Sequence, residues 1–141
     1  MKFSDMAEEL RLQLENPNSD LESFQDRFEK LVTAEWNLRY NKKFERYLKK
    51  AKLKIPGATF DEKLYDTDRQ LDIPTIEKLN TCIWIDEERN LVVTGMTGTG
   101  KTYYVNALAV AALKQFKEVR YYSASKLLLE LSAHEQVDDS I

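Results

Sequence analysis

Residues 90–116 read NLVVTGMTGTGKTYYVNALAVAALKQF, and the expected fold turns on how this stretch is parsed. Leu91-Val92-Val93-Thr94 is a short apolar run, the composition of a strand buried on both faces. Gly95 to Thr102 spell G-M-T-G-T-G-K-T, a full match to the Walker A pattern G-x-x-x-x-G-K-[ST]. Lys101 to Phe116 contains no Gly or Pro, and Val105, Leu108, Ala109, Ala112 and Leu113 give it an apolar side. Val119-Arg120-Tyr121-Tyr122 reads as a second strand. Ser125 can cap a last helix, Lys126 to Ala133. Strand, helix, strand and helix in this order predict a parallel βαβ unit with a right-handed crossover.

Each part of the glycine-rich stretch has a mechanical reason. A loop that turns backbone N–H groups inward around phosphate oxygens needs positive φ and close approach. Gly95, Gly98 and Gly100 permit both, with Thr97 and Thr99 between them. The helix starting at Lys101 aims its positive end at the anion. Lys101 can reach the β- and γ-phosphates, and the Thr102 hydroxyl is placed to coordinate Mg²⁺. The chain has four glycines, and three lie in this loop, which argues against a merely flexible turn. The expected ligand is a nucleoside triphosphate, ATP before GTP.

Cys82-Ile83-Trp84-Ile85-Asp86-Glu87 resembles a Walker B strand. Asp86, however, would enter the strand that feeds the loop, at the wrong end of the sheet, so it is not assigned to metal. Ile83, Trp84 and Ile85 are expected to pack under the sheet, with 86–89 a solvated turn. No acid after Thr102 follows an apolar strand, and no arginine finger is evident. Open sheets usually have about five strands, and this sequence offers two. The chain is therefore expected to stop inside its own domain, so that binding is expected and hydrolysis is doubtful.

The first half is helical in pattern. Phe3, Met6, Leu10 and Leu14 form one stripe up to Asn16-Pro17-Asn18-Ser19, where proline and turn formers stop it. Ser23 and Asp26 start a second, long helix that runs to about residue 51. Ile55-Pro56-Gly57-Ala58-Thr59 is a connector. Residues 60–73 are acidic and weakly periodic, and a short helix follows at Pro74 to Asn80 with Asp72 near its cap.

Composition bounds the rest. The 141 residues are 43% hydrophobic and 32% charged, as in a globular chain. No apolar run approaches the ~20 residues of a membrane span, and the opening MKFSDMAEEL lacks the apolar stretch expected of a signal peptide. A single cysteine, Cys82, excludes an internal disulfide and reads as a buried apolar residue. A cytoplasmic setting is expected. The net charge of −3 hides blocks of −4 over 1–30, +6 over 31–54, −5 over 55–90 and zero thereafter. Eight bases meet one acid, Glu45, between residues 39 and 54. Such a run is either a solvated helix face or a contact with nucleic-acid phosphates.

Several stretches together resemble the IstB-like helper ATPases of insertion sequences, relatives of the AAA+ helicase loaders. They are the MAEEL start, SFQDRFEKLVTAEW at 23–36, RYNKKFERYLKKAKLK at 39–54, and CIWIDEERNLVVTGMTGTGKTYYVNALAVAALKQFKEVRYYSASKLLLEL at 82–131. Met96 and Thr99 stand where that family often has proline and valine. The resemblance implies a small helical domain followed by an AAA+ ATPase domain, with ATP and Mg²⁺ as ligands. It also implies assembly as a homo-oligomer on double-stranded DNA and work with a transposase. It favours the DNA reading of Arg39, Lys42, Lys43, Arg46, Lys49 and Lys50. The expected fold class is therefore α/β: a helical domain at 1–55, a linker with a short helix at 56–89, and the first βαβα portion of a P-loop sheet at 90–141. The alternatives are a non-catalytic fragment that binds only DNA or a transposase, and a small P-loop phosphotransferase.

Overall fold

The computed structural model describes residues 3–60 and 72–138. It divides into two compact units, Met1–Arg46 and Tyr47–Ile141. The expected acidic stretch falls mostly at 61–71, outside the described residues.

In the first unit, α1 (Ser4–Glu15) follows the stripe that predicts it and gives way at Asn16-Pro17 to a 3-10 turn, Ser19–Leu21. The next helix, α2 (Phe24–Ala51), begins behind a reciprocal cap: the Asp26 N–H donates to Ser23 Oγ at 3.2 Å, and that hydroxyl donates to the Asp26 carboxylate at 2.7 Å. Gln13 Nε2 donates to the Arg27 carbonyl at 3.1 Å and ties the two helices. The apolar side of this unit is thinly covered. Phe24 and Phe28 stack at 5.9 Å yet both remain exposed, as does Trp36 at 67%.

The second unit is built on α5 (Lys101–Lys114). Ala107, Leu108, Val110, Ala112 and Leu113 are buried, with Ala51, Ala58, Ile76 and Cys82. Against α5 packs α3 (Ile73–Asn80), which also meets the single-turn α4 (Ile83–Asp86). The last helix is α6 (Ala124–Asp138).

The expected α/β class is corrected here: among the described residues there is no strand and no parallel sheet. Composition suits a strand, but a strand exists only when its backbone pairs with another. Val92 is 80% exposed, and Val93 lines an open apolar cleft of about 360 Å³ with Val105 and Leu108. The second run spends its backbone elsewhere, because the Tyr121 N–H donates to the Ala51 carbonyl at 2.9 Å, at the end of α2. The predicted βαβ crossover goes with the strands. Nor do Ile83–Ile85 lie under a sheet; they form α4, entered through Cys82 in the left-handed region, φ +59°.

Candidate functional site

The loop before α5 is shaped by its glycines. Gly95, Gly98 and Gly100 have φ of +153°, +87° and +84°, conformations that cost an L-residue strain. A Cβ on Gly95 would also meet Thr99 Oγ1 at 3.3 Å. Thr99 Oγ1 donates to the Met96 carbonyl at 2.9 Å, and the Lys101 ammonium donates to that same carbonyl. One oxygen thus gathers a hydroxyl and a cation, and the Lys101 side chain spans the loop. Gly95, Thr97, Gly98, Thr99, Gly100 and Thr102 are exposed, and Lys101 is half-buried.

Gly100 is the N-cap of α5 and provides no side chain. The first helical bond runs from the Tyr104 N–H to the Gly100 carbonyl at 3.0 Å. The first-turn N–H groups of this 14-residue helix therefore have no side-chain cap, which is the setting that favours an anion. Backbone donors, a helix dipole and an ammonium group converge on one exposed loop. The donor set fits a polyphosphate. It does not by itself make a cation site, since no three His, Cys, Asp or Glu side chains cluster among the described residues.

Contacts not anticipated from the sequence position the loop. Asn106, fully buried, accepts the Ile55 N–H at 3.1 Å through Oδ1 and donates through Nδ2 to the Thr102 carbonyl at 2.6 Å. Tyr103 Oη accepts the Thr59 N–H at 3.3 Å and donates to the Thr59 carbonyl at 3.2 Å. Phe60 and Tyr104 meet edge to face at 5.2 Å. The connector after α2 thus lies along the first turns of the loop's own helix. The signal in the sequence was a polar Tyr-Tyr-x-Asn interruption in an otherwise apolar helix.

Asp86 is engaged by the Lys117 ammonium. Cys82 is buried, and burial pushes its thiol pKa up, with Lys117 pulling the other way and Asp86 adding to the rise.

The basic residues proposed from sequence divide between the two units. Arg39, Lys42, Lys43 and Arg46 recur at three- and four-residue spacing on α2 in the first unit, and all are exposed. Arg39 is also engaged locally: its Nε donates to the Glu35 carboxylate at 2.6 Å, and its guanidinium lies 5.3 Å from the Phe3 ring centroid. Glu35 is buried, and its pKa is held down first by Arg39, then by backbone N–H groups at Met6 and Asp5. Lys49 and Lys50 lie in the last turn of α2, in the second unit.

A glycine-shaped loop on an uncapped helix end defines a candidate phosphate-binding module. The family model described as IstB-like ATP binding protein matches residues 1–140, and the chain belongs to that family. It is 34% identical over 131 residues to a protein of insertion sequence IS1162 from Pseudomonas fluorescens that is named as ATP-binding. That alignment covers 93% of this chain and 57% of the relative. A similarly named insertion-sequence protein from Sinorhizobium fredii is 30% identical over 132 residues, covering 94% and 54%. The chain thus spans about half the length of the curated relatives it matches. No solved structure matches it. Among the described residues no helix is long and apolar enough to cross a membrane.

Proposed function

We propose that this chain binds ATP with Mg²⁺ through Gly95 to Thr102 and binds duplex DNA through the basic residues of α2, as a helper of transposition. The observation that carries the first half is the loop itself: three glycines at positive φ lead into an α5 N terminus without a side-chain cap. Backbone N–H groups and Lys101 would hold the β- and γ-phosphates, and the Thr102 hydroxyl would complete the Mg²⁺ shell begun by phosphate oxygens. ATP, when bound, supplies a phosphoanhydride whose charge this loop neutralises. The residues of the loop bind and orient it, and no acid beside them is assigned to activate water.

The DNA half rests on Lys42, Lys43, Arg46, Lys49 and Lys50, exposed cations that displace counterions from phosphates, with Arg39 contributing less because Glu35 holds it. A transposase partner, a homo-oligomer and a cytoplasmic setting belong to the same reading and are supported by the naming of the relatives as insertion-sequence proteins.

The test is titration of a fluorescent ATP analogue, with and without Mg²⁺, against the original chain and Lys101→Ala. Loss of affinity of tenfold or more is expected in the variant. Equal affinity would remove Lys101 from the phosphate role. Duplex binding without any ATP binding would favour the reading as a DNA- or transposase-binding module alone.

A further inference from the structure

A second cationic site forms where the end of the basic run at 39–54 meets cations from a distant stretch of the chain. A cleft of about 320 Å³ opens at the C-terminal end of α2. Lys50 and Lys52 reach it from α2 and the residue after it. Arg120, Tyr121 and Tyr122 come from the segment after α5, and Lys126 comes from the first turn of α6. The Tyr121 N–H to Ala51 carbonyl bond, 2.9 Å, fastens the second group to the first.

Arg120 and Lys126 lie in a stretch of zero net charge, some seventy positions after Lys50 and Lys52. The fold gathers these four cations into one cleft, against Glu130 on its wall and Glu118 nearby. Collecting like charges costs free energy unless an anion answers them. Among the described residues Lys50, Lys52 and Lys126 make no ion pair, and the favourable action of Glu118 and Glu130 falls on Arg120. Tyr122, ahead of Glu118 and Glu130, pushes the Arg120 pKa up. The planar guanidinium of Arg120 suits the paired oxygens of a phosphodiester.

We propose that this cleft holds the phosphodiester backbone of nucleic acid, at Lys50, Lys52, Arg120 and Lys126, as a contact additional to those on the body of α2. A concave cleft admits a chain-like polyanion more readily than a flat anionic bilayer. Its aromatic members are tyrosines, whose rings lie against sugar or base while their hydroxyls stay hydrated. Lys49 and Lys50 close the helix whose earlier basic residues carry the proposed DNA contact, so the site rests on the nucleic-acid half of the function proposed above.

Lys52 supplies a clean variant. It follows α2 with φ +52°, the left-handed position at which glycine is preferred. Lys52→Gly removes the charge and relieves the backbone, so weaker binding in that variant cannot be assigned to unfolding. The experiment is fluorescence anisotropy of a labelled duplex titrated with the whole chain across about 50–200 mM salt.

The variants are Lys52→Gly, Arg120→Gln/Lys126→Gln and, for comparison on the body of α2, Lys42→Gln/Lys43→Gln. The slope of log affinity against log salt should fall by about one in Lys52→Gly and about two in the Arg120/Lys126 pair, with ATP-analogue affinity unchanged. Unchanged slopes in both cleft variants, with a reduced slope in the Lys42/Lys43 pair, would overturn the cleft and leave the α2 contact standing. No duplex binding by the original chain would overturn both. Cleft variants that lose binding to anionic phospholipid vesicles but keep the duplex would assign the cleft to a membrane and overturn the proposal. Inorganic phosphate that displaces the duplex from the original chain but not from the cleft variants, at equal ionic strength, would overturn it in favour of a small-anion site.

Discussion

The buried amide of Asn106 accepts the Ile55 N–H at 3.1 Å and donates to the Thr102 carbonyl at 2.6 Å, so one side chain fixes the connector after α2 to the first turn of α5. Asn106→Leu keeps the volume and leaves two backbone groups without these bonds. Each unsatisfied buried group costs about 1–3 kcal/mol. Urea denaturation of the variant should show a midpoint shift equivalent to about 2–4 kcal/mol. An unchanged midpoint would mean that water replaces the amide freely.

Gly98 separates strain from crowding. Nothing lies within 4 Å of a Cβ built on Gly98, yet its φ is +87°. Gly98→Ala should therefore cost about 1–2 kcal/mol through backbone conformation alone. Gly98→Asn, a residue that tolerates positive φ, should recover part of it. Comparison of ATP-analogue affinities for the two variants reads this out. Identical losses would point to a side-chain clash with ligand instead.

Glu35 carries a pH dependence. Its carboxyl pKa is lowered on folding, chiefly by Arg39. A carboxyl whose pKa drops on folding stabilises the fold above its unfolded pKa, and that stability is lost as pH falls through the folded value. The melting temperature should fall on acidification below the ordinary carboxylate range, and Glu35→Gln should flatten that part of the profile. A variant with the same acid limb as the original chain would refute the assignment.

Cys82 should be inert in the folded protein, since the thiol is buried and its pKa is raised. Reaction with an aromatic disulfide reagent should be slow near neutral pH and become fast in denaturant. Rapid labelling without denaturant would show that the contact between α3 and α4 opens readily.

The helices were legible because their signals are local. Three- and four-residue spacing placed α1, proline and asparagine stopped it, and the Ser23–Asp26 pair started α2 where its cap is found. The glycine-rich loop was legible for the same reason, since positive φ is demanded position by position. The strand reading of 91–94 and 119–122 failed, because a strand depends on a partner elsewhere, and the Tyr121 N–H finds the end of a helix. Neither Asn106 nor the gathering of Arg120 with Lys52 shows any periodicity. Both depend on residues about fifty to seventy positions apart coming together.

The bond from Lys101 to the Met96 carbonyl has a kinetic and thermal consequence. The ammonium is already satisfied within the loop, so the phosphate proposed to bind there would have to compete with an internal acceptor. Binding then exchanges one charge-assisted bond for others, and its enthalpy should be smaller than the number of new contacts suggests. Release can be assisted, because the carbonyl is at hand to receive the cation as the phosphate leaves. On the proposed reading, a loop arranged in this way favours exchange of its ligand over tight retention.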